Sequence, residues 1–382
     1  MRLPSASSTN VDGCPPIAGP DRTGDMKKKV ILGMSGGVDS SVAAALLKRQ
    51  GYEVIGITLV FLPPELESDR PDACCGSQAV EDARAVSQQL DLRFYAVNRR
   101  QKFREQVMEY FCDEYVAGRT PNPCIVCNRD QKFPELLRLA QVLDAEYVAT
   151  GHYARIQTGE DGLIRLCKGV EEAKDQSYFL YVLTQEMLGK ILFPLGEMSK
   201  EQVRRLAEEL GLDVHGKPES QEVCFVADNK YPSFLRKWIP GKLRPGAIYD
   251  TDGNEIGRHK GIPLYTIGQR RGIGIAGGEP LYVLSINPQD NSIVVGPDDQ
   301  LYKTELVGNG AMWIAGHAPE KPVEAQVRIR YNHPGSNALV TPLEGGRVKI
   351  TFERPERAIT PGQAAVFYDG ETVLGGAWIE AS

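Results

Sequence analysis

Residues 28–41 read KKVILGMSGGVDSS. The stretch from Lys28 to Gly33 predicts a short buried strand, and after a glycine-rich turn Ser40 to Gln50 shows helical spacing that stops before Gly51. A strand that ends in such a turn and opens a helix gathers unpaired backbone N–H groups and the positive end of a helix dipole at one point. That arrangement binds phosphates. Within it, Gly33, Met34 and Val38 frame the turn, Gly36 and Gly37 let the backbone approach an anion closely, and Ser35, Ser40 and Ser41 offer hydroxyl groups. Asp39 is odd in an anion site, and it either holds Mg2+ or orders the loop. The pattern is neither G-x-x-x-x-G-K-[ST] nor G-x-G-x-x-G. The plain alternative is a tight turn with no ligand.

Downstream, the texture repeats. Glu53 to Leu62, Asp91 to Val97 and Tyr147 to Thr150 read as strands, while Cys75 to Leu90, Gln101 to Ala117, Pro134 to Leu143 and Ser199 to Leu210 read as helices, the last capped by Ser199 and Gly211. Alternation of this kind predicts an α/β domain with a parallel sheet, whose ligands lie beyond the C-terminal strand ends. Leu59 and Gly151, each after a strand, then fall where adenine and ribose would sit. After about residue 226, Pro and Gly become frequent and short alternating runs replace helices. Runs at Leu281 to Ile286, Ser292 to Val295, Val323 to Ile329, Ala338 to Thr341, Arg347 to Phe352 and Ala364 to Tyr368 predict a small C-terminal β-barrel. The expected organisation is a tail over 1–26, a catalytic domain over 27–225, a small central α+β or β domain over 226–297 and a barrel over 298–382.

The chain has 382 residues, too many for one ordinary core. Its apolar runs fall far short of the roughly 20 residues that span a bilayer, and the first 26 lack an apolar stretch of the secretory kind. A cytoplasmic, membrane-free protein is expected. The net charge of −6 argues against a non-specific nucleic-acid binder but leaves room for a locally basic face. Lys237, Lys242, Arg244, Arg258 and Lys260 crowd the middle of the chain, and Gln269, Arg270 and Arg271 lie between glycines. Arg328 and Arg330 alternate so as to share one strand face, beside Tyr331 and His333. Tyr331 or Tyr265 is placed to stack on an unpaired base.

Eight cysteines occur in a chain expected to stay reduced. Cys124 and Cys127 stand in RTPNPCIVCN (119–128), where two prolines predict an extended, rigid lead-in, and Cys224 stands in SQEVCF (220–225). A C-x-x-C pair without a second pair is a weak zinc signal. A three-thiol metal site, a redox dithiol, a thiol nucleophile and buried packing all stay open at this point. Cys14, Cys74, Cys75, Cys112 and Cys167 take the bland reading.

Taken together, GMSGGVDSS (33–41), AGRTPNPCIVCN (117–128), ATGHYAR (149–155), KDQSYFLY (174–181), SQEVCF (220–225), YTIGQRRGIGI (265–275) and PGQAAVFYDGE (361–371) resemble the bacterial tRNA-specific 2-thiouridylases. The first motif resembles the S-G-G-x-D-S loop of the ATP pyrophosphatases, so the resemblance implies a PP-loop domain of the adenine nucleotide alpha hydrolase kind. It implies that ATP, with Mg2+, adenylates the C2 oxygen of the wobble uridine in the anticodon loop and that an enzyme-borne sulfur then displaces AMP. Cys224 would carry a persulfide supplied by a sulfur donor protein, either a cysteine desulfurase or a relay protein. Cys127 would act as nucleophile, and a transient Cys127–Cys224 disulfide would result. Asn122, Pro123 and Cys124 would contact the target base. His152, Lys174, Asp175, Gln176, Arg330, Tyr331 and Gln363 would contact the tRNA. The enzyme would act as a monomer, and the segments around 62–75 and 213–222 would order with tRNA.

One departure from the family pattern bears on mechanism. Many members carry Asp where this chain has Cys124, so a candidate general acid/base is replaced by a third thiol. Cys124, Cys127 and Cys224 are then candidate ligands of a four-iron four-sulfur cluster that carries sulfide on iron. Two other classes of function compete: a PP-loop ligase acting on a small molecule, and a non-catalytic RNA-binding or metal-scaffold protein. Neither explains the phosphate loop, the thiols and the basic β-rich half together.

Overall fold

The computed structural model describes residues 27–67, 76–212, 223–226, 230–275 and 279–381. The expected tail, Cys14, Cys74, Cys75, residues 68–75 and residues 213–222 lie outside the described residues.

Five strands form the first sheet: β1 (Lys29–Gly33), β2 (Glu53–Val60), β3 (Arg93–Asn98), β4 (Tyr147–Thr150) and, after a hairpin treated below, the two-residue β7 (Ile191–Leu192). Their order is β3-β2-β1-β4-β7, and every pairing is parallel. The side-chain period of two sends Ile31, Ile55, Ile57 and Val148 to one face and Val30, Leu32, Val54 and Ala149 to the other. Both faces are covered, as a parallel sheet requires. Helix α1 (Val38–Arg49) packs on the second face with the Ser77–Gln89 and Lys200–Glu209 helices. The helical path from Arg100 to Val116 and the Phe133–Val142 helix cover the first. The chain runs outward from β1 in both directions, so the topological switch point lies between β1 and β4. Crevices for ligands form at such points.

A four-stranded sheet follows, in the order β10-β11-β8-β9, built from β8 (Gly246–Tyr249), β9 (Glu255–His259), β10 (Tyr282–Asn287) and β11 (Ser292–Gly296). Its Ile248, Val283, Ile293 and Val295 are continuous with the core on the first face of the parallel sheet. The C-terminal strands are β12 (Tyr302–Trp313), β13 (Val323–Arg328), β14 (Ser336–Leu343), β15 (Arg347–Arg357), β16 (Ala364–Asp369) and β17 (Thr372–Ile379). They run β12-β15-β14-β13-β16-β17, and β12 pairs with both β15 and β17, so the expected barrel closes. β12 and β17 were not among the strands expected; in β17, Gly375 and Gly376 interrupt the alternation. A Cβ at Gly375 would stand 2.2 Å from the Met312 carbonyl oxygen, so glycine is what lets β12 and β17 meet. The hairpin β5 (Ala154–Thr158) and β6 (Ile164–Lys168), which follows β4 in the chain, joins this barrel sheet through the pairing of Cys167 with Thr372.

Candidate active site

Between β1 and α1, the loop is tied to itself. The Ser35 amide donates to Ser40 Oγ at 3.2 Å, and the Ser40 and Ser41 hydroxyls donate to the Gly37 carbonyl at 3.1 and 2.9 Å. Ser40 and Ser41 are buried, and their hydroxyls tie the loop to itself. Gly36 has φ +68°, and a Cβ there would sit 2.5 Å from the Ala79 carbonyl oxygen. Gly37 is the extended N-cap of α1 with no side chain to satisfy the first-turn N–H groups, which leaves them for an anion. Across the switch point, Gly151 follows β4 and lies against this turn. A Cβ there would meet the Ser40 amide nitrogen at 3.0 Å. Met34, Val38 and Leu59 are buried around the loop and the end of β2. Met34 and Val38 pack in the core on the α1 face of the sheet, and Leu59 packs in the core on the other.

Asp39 does not face open solvent as a spare metal ligand. Its two carboxylate oxygens accept from Lys200 Nζ at 2.7 and 2.8 Å, and one also accepts from the Tyr153 hydroxyl at 2.7 Å. Of its two proposed roles, ordering the loop is the one these contacts display. Lys200 and Tyr153 were not singled out in the sequence. The one available signal was that Lys200 opens a helix, where the dipole disfavours a cation.

His152 sits beside Gly151. Its Nδ1 lies 2.7 Å from Thr150 Oγ1 and its Nε2 3.5 Å from Lys132 Nζ, with the ring stacked on Phe133. An ammonium can only donate, so Nε2 accepts and Nδ1 carries the proton. Burial, and then the Lys132 charge, push the His152 pKa well below the usual imidazole value and keep the ring neutral.

The lead-in to the thiols is extended only as far as Asn122. Pro123–Cys127 opens a helical path that continues through the π-helical turn Asn128–Lys132 into the Phe133–Val142 helix; it has Pro at its first turn and is capped by Asn122, whose side-chain oxygen accepts from the Ile125 amide at 3.4 Å. Cys124 and Cys127 are therefore three residues apart on one helix, both partly exposed. Cys127 and Cys224 pack against the same hydrophobic cluster, which contains Val126, Phe111 and Phe225. Cys112, Cys124, Cys127, Cys167 and Cys224 all stand without a disulfide. Burial pushes the Cys112 thiol up to about 12, which makes it inert. Among the described residues, no group of three or more His, Cys, Asp or Glu side chains is placed to hold a metal ion. The three thiols, as the described residues place them, thus do not fit the cluster considered from sequence.

The residues expected at the RNA divide into two sets. Lys237, Lys242, Arg244, Arg258, Lys260, Arg270, Arg271 and Arg330 are exposed, while Tyr265, Arg328 and His333 are buried. The expected Arg328–Arg330 face fails because β13 ends at Arg328. Arg328 turns inward to pair with Asp175 at 3.1 Å. Asp175, itself 1% exposed, also accepts from the Gly169 and Ser177 amides and the Ser177 hydroxyl. Its carboxylate is fully engaged within the protein. Gln176 Oε1 accepts from the Tyr153 amide at 3.0 Å. Tyr331 packs on Phe179 with ring centroids 4.5 Å apart. Gln363 Nε2 donates to the carbonyls of Thr120 and Pro121 at 3.0 and 3.2 Å, reaching from the barrel to the chain just ahead of Asn122.

Three family models tile the chain. One described as a tRNA methyl transferase HUP domain matches residues 28–228, one described as a tRNA methyl transferase PRC-barrel domain matches 232–297, and one described as an aminomethyltransferase beta-barrel domain matches 303–379. The tRNA-specific 2-thiouridylase MnmA of Clostridium perfringens is 50% identical over 356 residues, which cover 93% of this chain and 99% of that protein. The chain belongs to the tRNA-specific 2-thiouridylase family. Another member, MnmA of Clostridioides difficile strain 630, is 47% identical over 358 residues, covering 94% of this chain and 99% of its own length. A solved 4-thiouridine synthetase–RNA complex with bound ATP is 20% identical and covers 56% of this chain and 51% of its own, with a TM-score of 0.36. In this member of the 2-thiouridylase family, the parallel sheet, the four-stranded central sheet and the closed barrel fall within the three matched segments in turn. Among the described residues, no helix is long and apolar enough to cross a membrane.

Proposed function

We propose that this protein uses ATP to replace the C2 oxygen of a tRNA wobble uridine with sulfur. The phosphate loop grips the β- and γ-phosphates while the uridine C2 oxygen attacks the α-phosphorus. Pyrophosphate leaves, and the poor oxygen leaving group becomes AMP. Cys224 carries a terminal sulfur as Cys–S–SH, received from a persulfide-bearing donor protein. That sulfur, as its anion, attacks C2 and expels AMP, so that Cys224 Sγ and C2 are bridged through it. The Cys127 thiolate then attacks Cys224 Sγ. The S–S bond to the transferred sulfur breaks, its electron pair stays on that sulfur as the 2-thiouridine, and a Cys127–Cys224 disulfide remains. A cellular dithiol reduces that disulfide before the next turnover. His152, held neutral at the strand end, donates or accepts hydrogen bonds there without adding charge. Lys174, Arg330 and the exposed basic residues of the central segment supply phosphate contacts, whose strength falls with salt. The target base leaves its stack to reach the site.

The observation that carries this reading is that Cys127 and Cys224, far apart in sequence, pack on one core against the sheet whose switch point bears the phosphate loop. Cys224→Ser is expected to keep tRNA-dependent pyrophosphate release and lose all 2-thiouridine formation, read by nucleoside mass spectrometry. Full thiolation by that variant would refute the carrier role. So would stoichiometric iron after anaerobic purification, with activity that depends on it.

A further inference from the structure

Asp39 is the second residue of α1 after its N-cap, inside the turn that must receive a polyphosphate. A carboxylate there sits well with the helix dipole and badly with the ligand. Lys200 resolves the conflict. It opens the Lys200–Glu209 helix, is 6% exposed, and meets both Asp39 oxygens with its ammonium. Its backbone amide donates to Glu171, and Val203 and Ala207 of its helix pack in the same core as Val42, Ala43 and Leu47 of α1. The ammonium is thus delivered by a helix docked directly on the nucleotide helix. Burying a lysine is costly, and an ion pair seldom repays that cost in stability alone. A second group fixes the same carboxylate, the Tyr153 hydroxyl at 2.7 Å from Oδ1. The pair is therefore better explained by what it does to the loop than by what it adds to folding.

We propose that Lys200 is a positioning residue for the nucleotide: it cancels and fixes the Asp39 carboxylate, so that the first turn of α1 presents only N–H groups and a positive dipole to the phosphates. The inference rests on the reading of this loop as the ATP site and adds the residue that makes it electrostatically workable. Lys200→Met strands a negative charge beside the phosphates, whereas Asp39→Asn combined with Lys200→Met removes both charges and leaves an oxygen to accept from Tyr153.

The test is binding of ATP and of adenosine to the full chain, by calorimetry, for wild type, Lys200→Met and the double variant. One uncompensated charge against a polyphosphate at short, partly screened range predicts an ATP Kd raised by about tenfold or more in Lys200→Met. Adenosine, which is uncharged, should bind all three proteins within about twofold. The double variant should recover ATP binding to within about threefold of wild type. ATP binding by Lys200→Met equal to wild type, a double variant no better than Lys200→Met, or equal losses for ATP and adenosine would each overturn the inference while leaving the ATP site standing. Wild type that binds no ATP at all would overturn the site itself and the inference with it.

Discussion

Gln363→Ala separates two roles for one side chain. The resemblance puts Gln363 on the tRNA. The geometry puts its amide nitrogen on the carbonyls of Thr120 and Pro121, immediately before the Asn122 cap. Thr120 is where three parts of the molecule meet: its amide donates to the Pro361 carbonyl of the barrel at 2.8 Å, and its hydroxyl lies 3.2 Å from Thr266 Oγ1 of the central segment. Gly362 permits the approach, since a Cβ there would stand 3.0 Å from the Thr120 carbonyl oxygen. Two neutral hydrogen bonds, each with a net value of about 1 kcal/mol, make the clasp worth roughly 1–2 kcal/mol. If thiolation needs the clasped loop, losing it lowers the turnover number at saturating tRNA by about tenfold and leaves tRNA affinity within about twofold. Gln363→Glu should be worse than Ala, because it sets a carboxylate against two carbonyl oxygens. The assays are single-turnover thiolation, tRNA binding by filter retention, and the rate of Cys127 alkylation without tRNA, which should rise when the loop loosens. A variant with much weaker tRNA binding, unchanged alkylation and unchanged turnover at saturation would refute the clasp and restore the direct contact.

Arg328→Met leaves Asp175 buried without its ion-pair partner and should destabilise the protein by about 3–5 kcal/mol in denaturant melts; a loss under about 1 kcal/mol would show the pair to be dispensable. Gly36→Ala puts a Cβ against the Ala79 carbonyl at φ +68°, so ATP binding should fall by at least about tenfold with the barrel intact by near-ultraviolet circular dichroism; normal ATP affinity would contradict the loop geometry. His152, His259 and His333 are held below the usual imidazole pKa, chiefly by burial. The unfolded chain therefore binds protons that the folded chain refuses, and stability should fall as pH drops below about 6.5. Urea midpoints at pH 7.5 and 5.5 read this directly, and a midpoint that rises on acidification would refute it.

What the sequence disclosed is what local chemistry controls. Strands and helices of the parallel sheet alternate with clear periods, and Ser199 caps its helix with a full capping box. The reading fell short where a local signal was passed over or where distant contacts decide. The two prolines point to an extended lead-in, which runs to Asn122; that Asn122 followed by Pro123 is also a helix-start signal went unused. Alternation placed Arg328 and Arg330 on one face, but the strand stops between them, and only the fold brings Asp175 to meet Arg328. Lys200 looks like a solvated residue at the end of a polar helix. Nothing in its neighbours says that Asp39 waits opposite.

The barrel also ties the parts of the molecule together. It receives the β5–β6 hairpin from between the strands of the parallel sheet. It holds the turn before Ser177 through Arg328, and it grips the chain ahead of the thiol helix through Gln363. Asp175, Gln176, Tyr331 and Gln363, which the resemblance assigns to tRNA, thus lie at seams between parts of the molecule and are already engaged there. A ligand that docks on these seams competes with, or tightens, the contacts that fix Asn122 and Cys127. Interior packing transmits such shifts because it is dense and not continuously deformable. Cys124 and Cys127 occupy the first turns of a helical path that runs on through the π-helical turn Asn128–Lys132 to Val142, so the asparagine cap and the clasp from the barrel act on the end of a rod whose far part is held in the core by Phe133, Leu136 and Leu139.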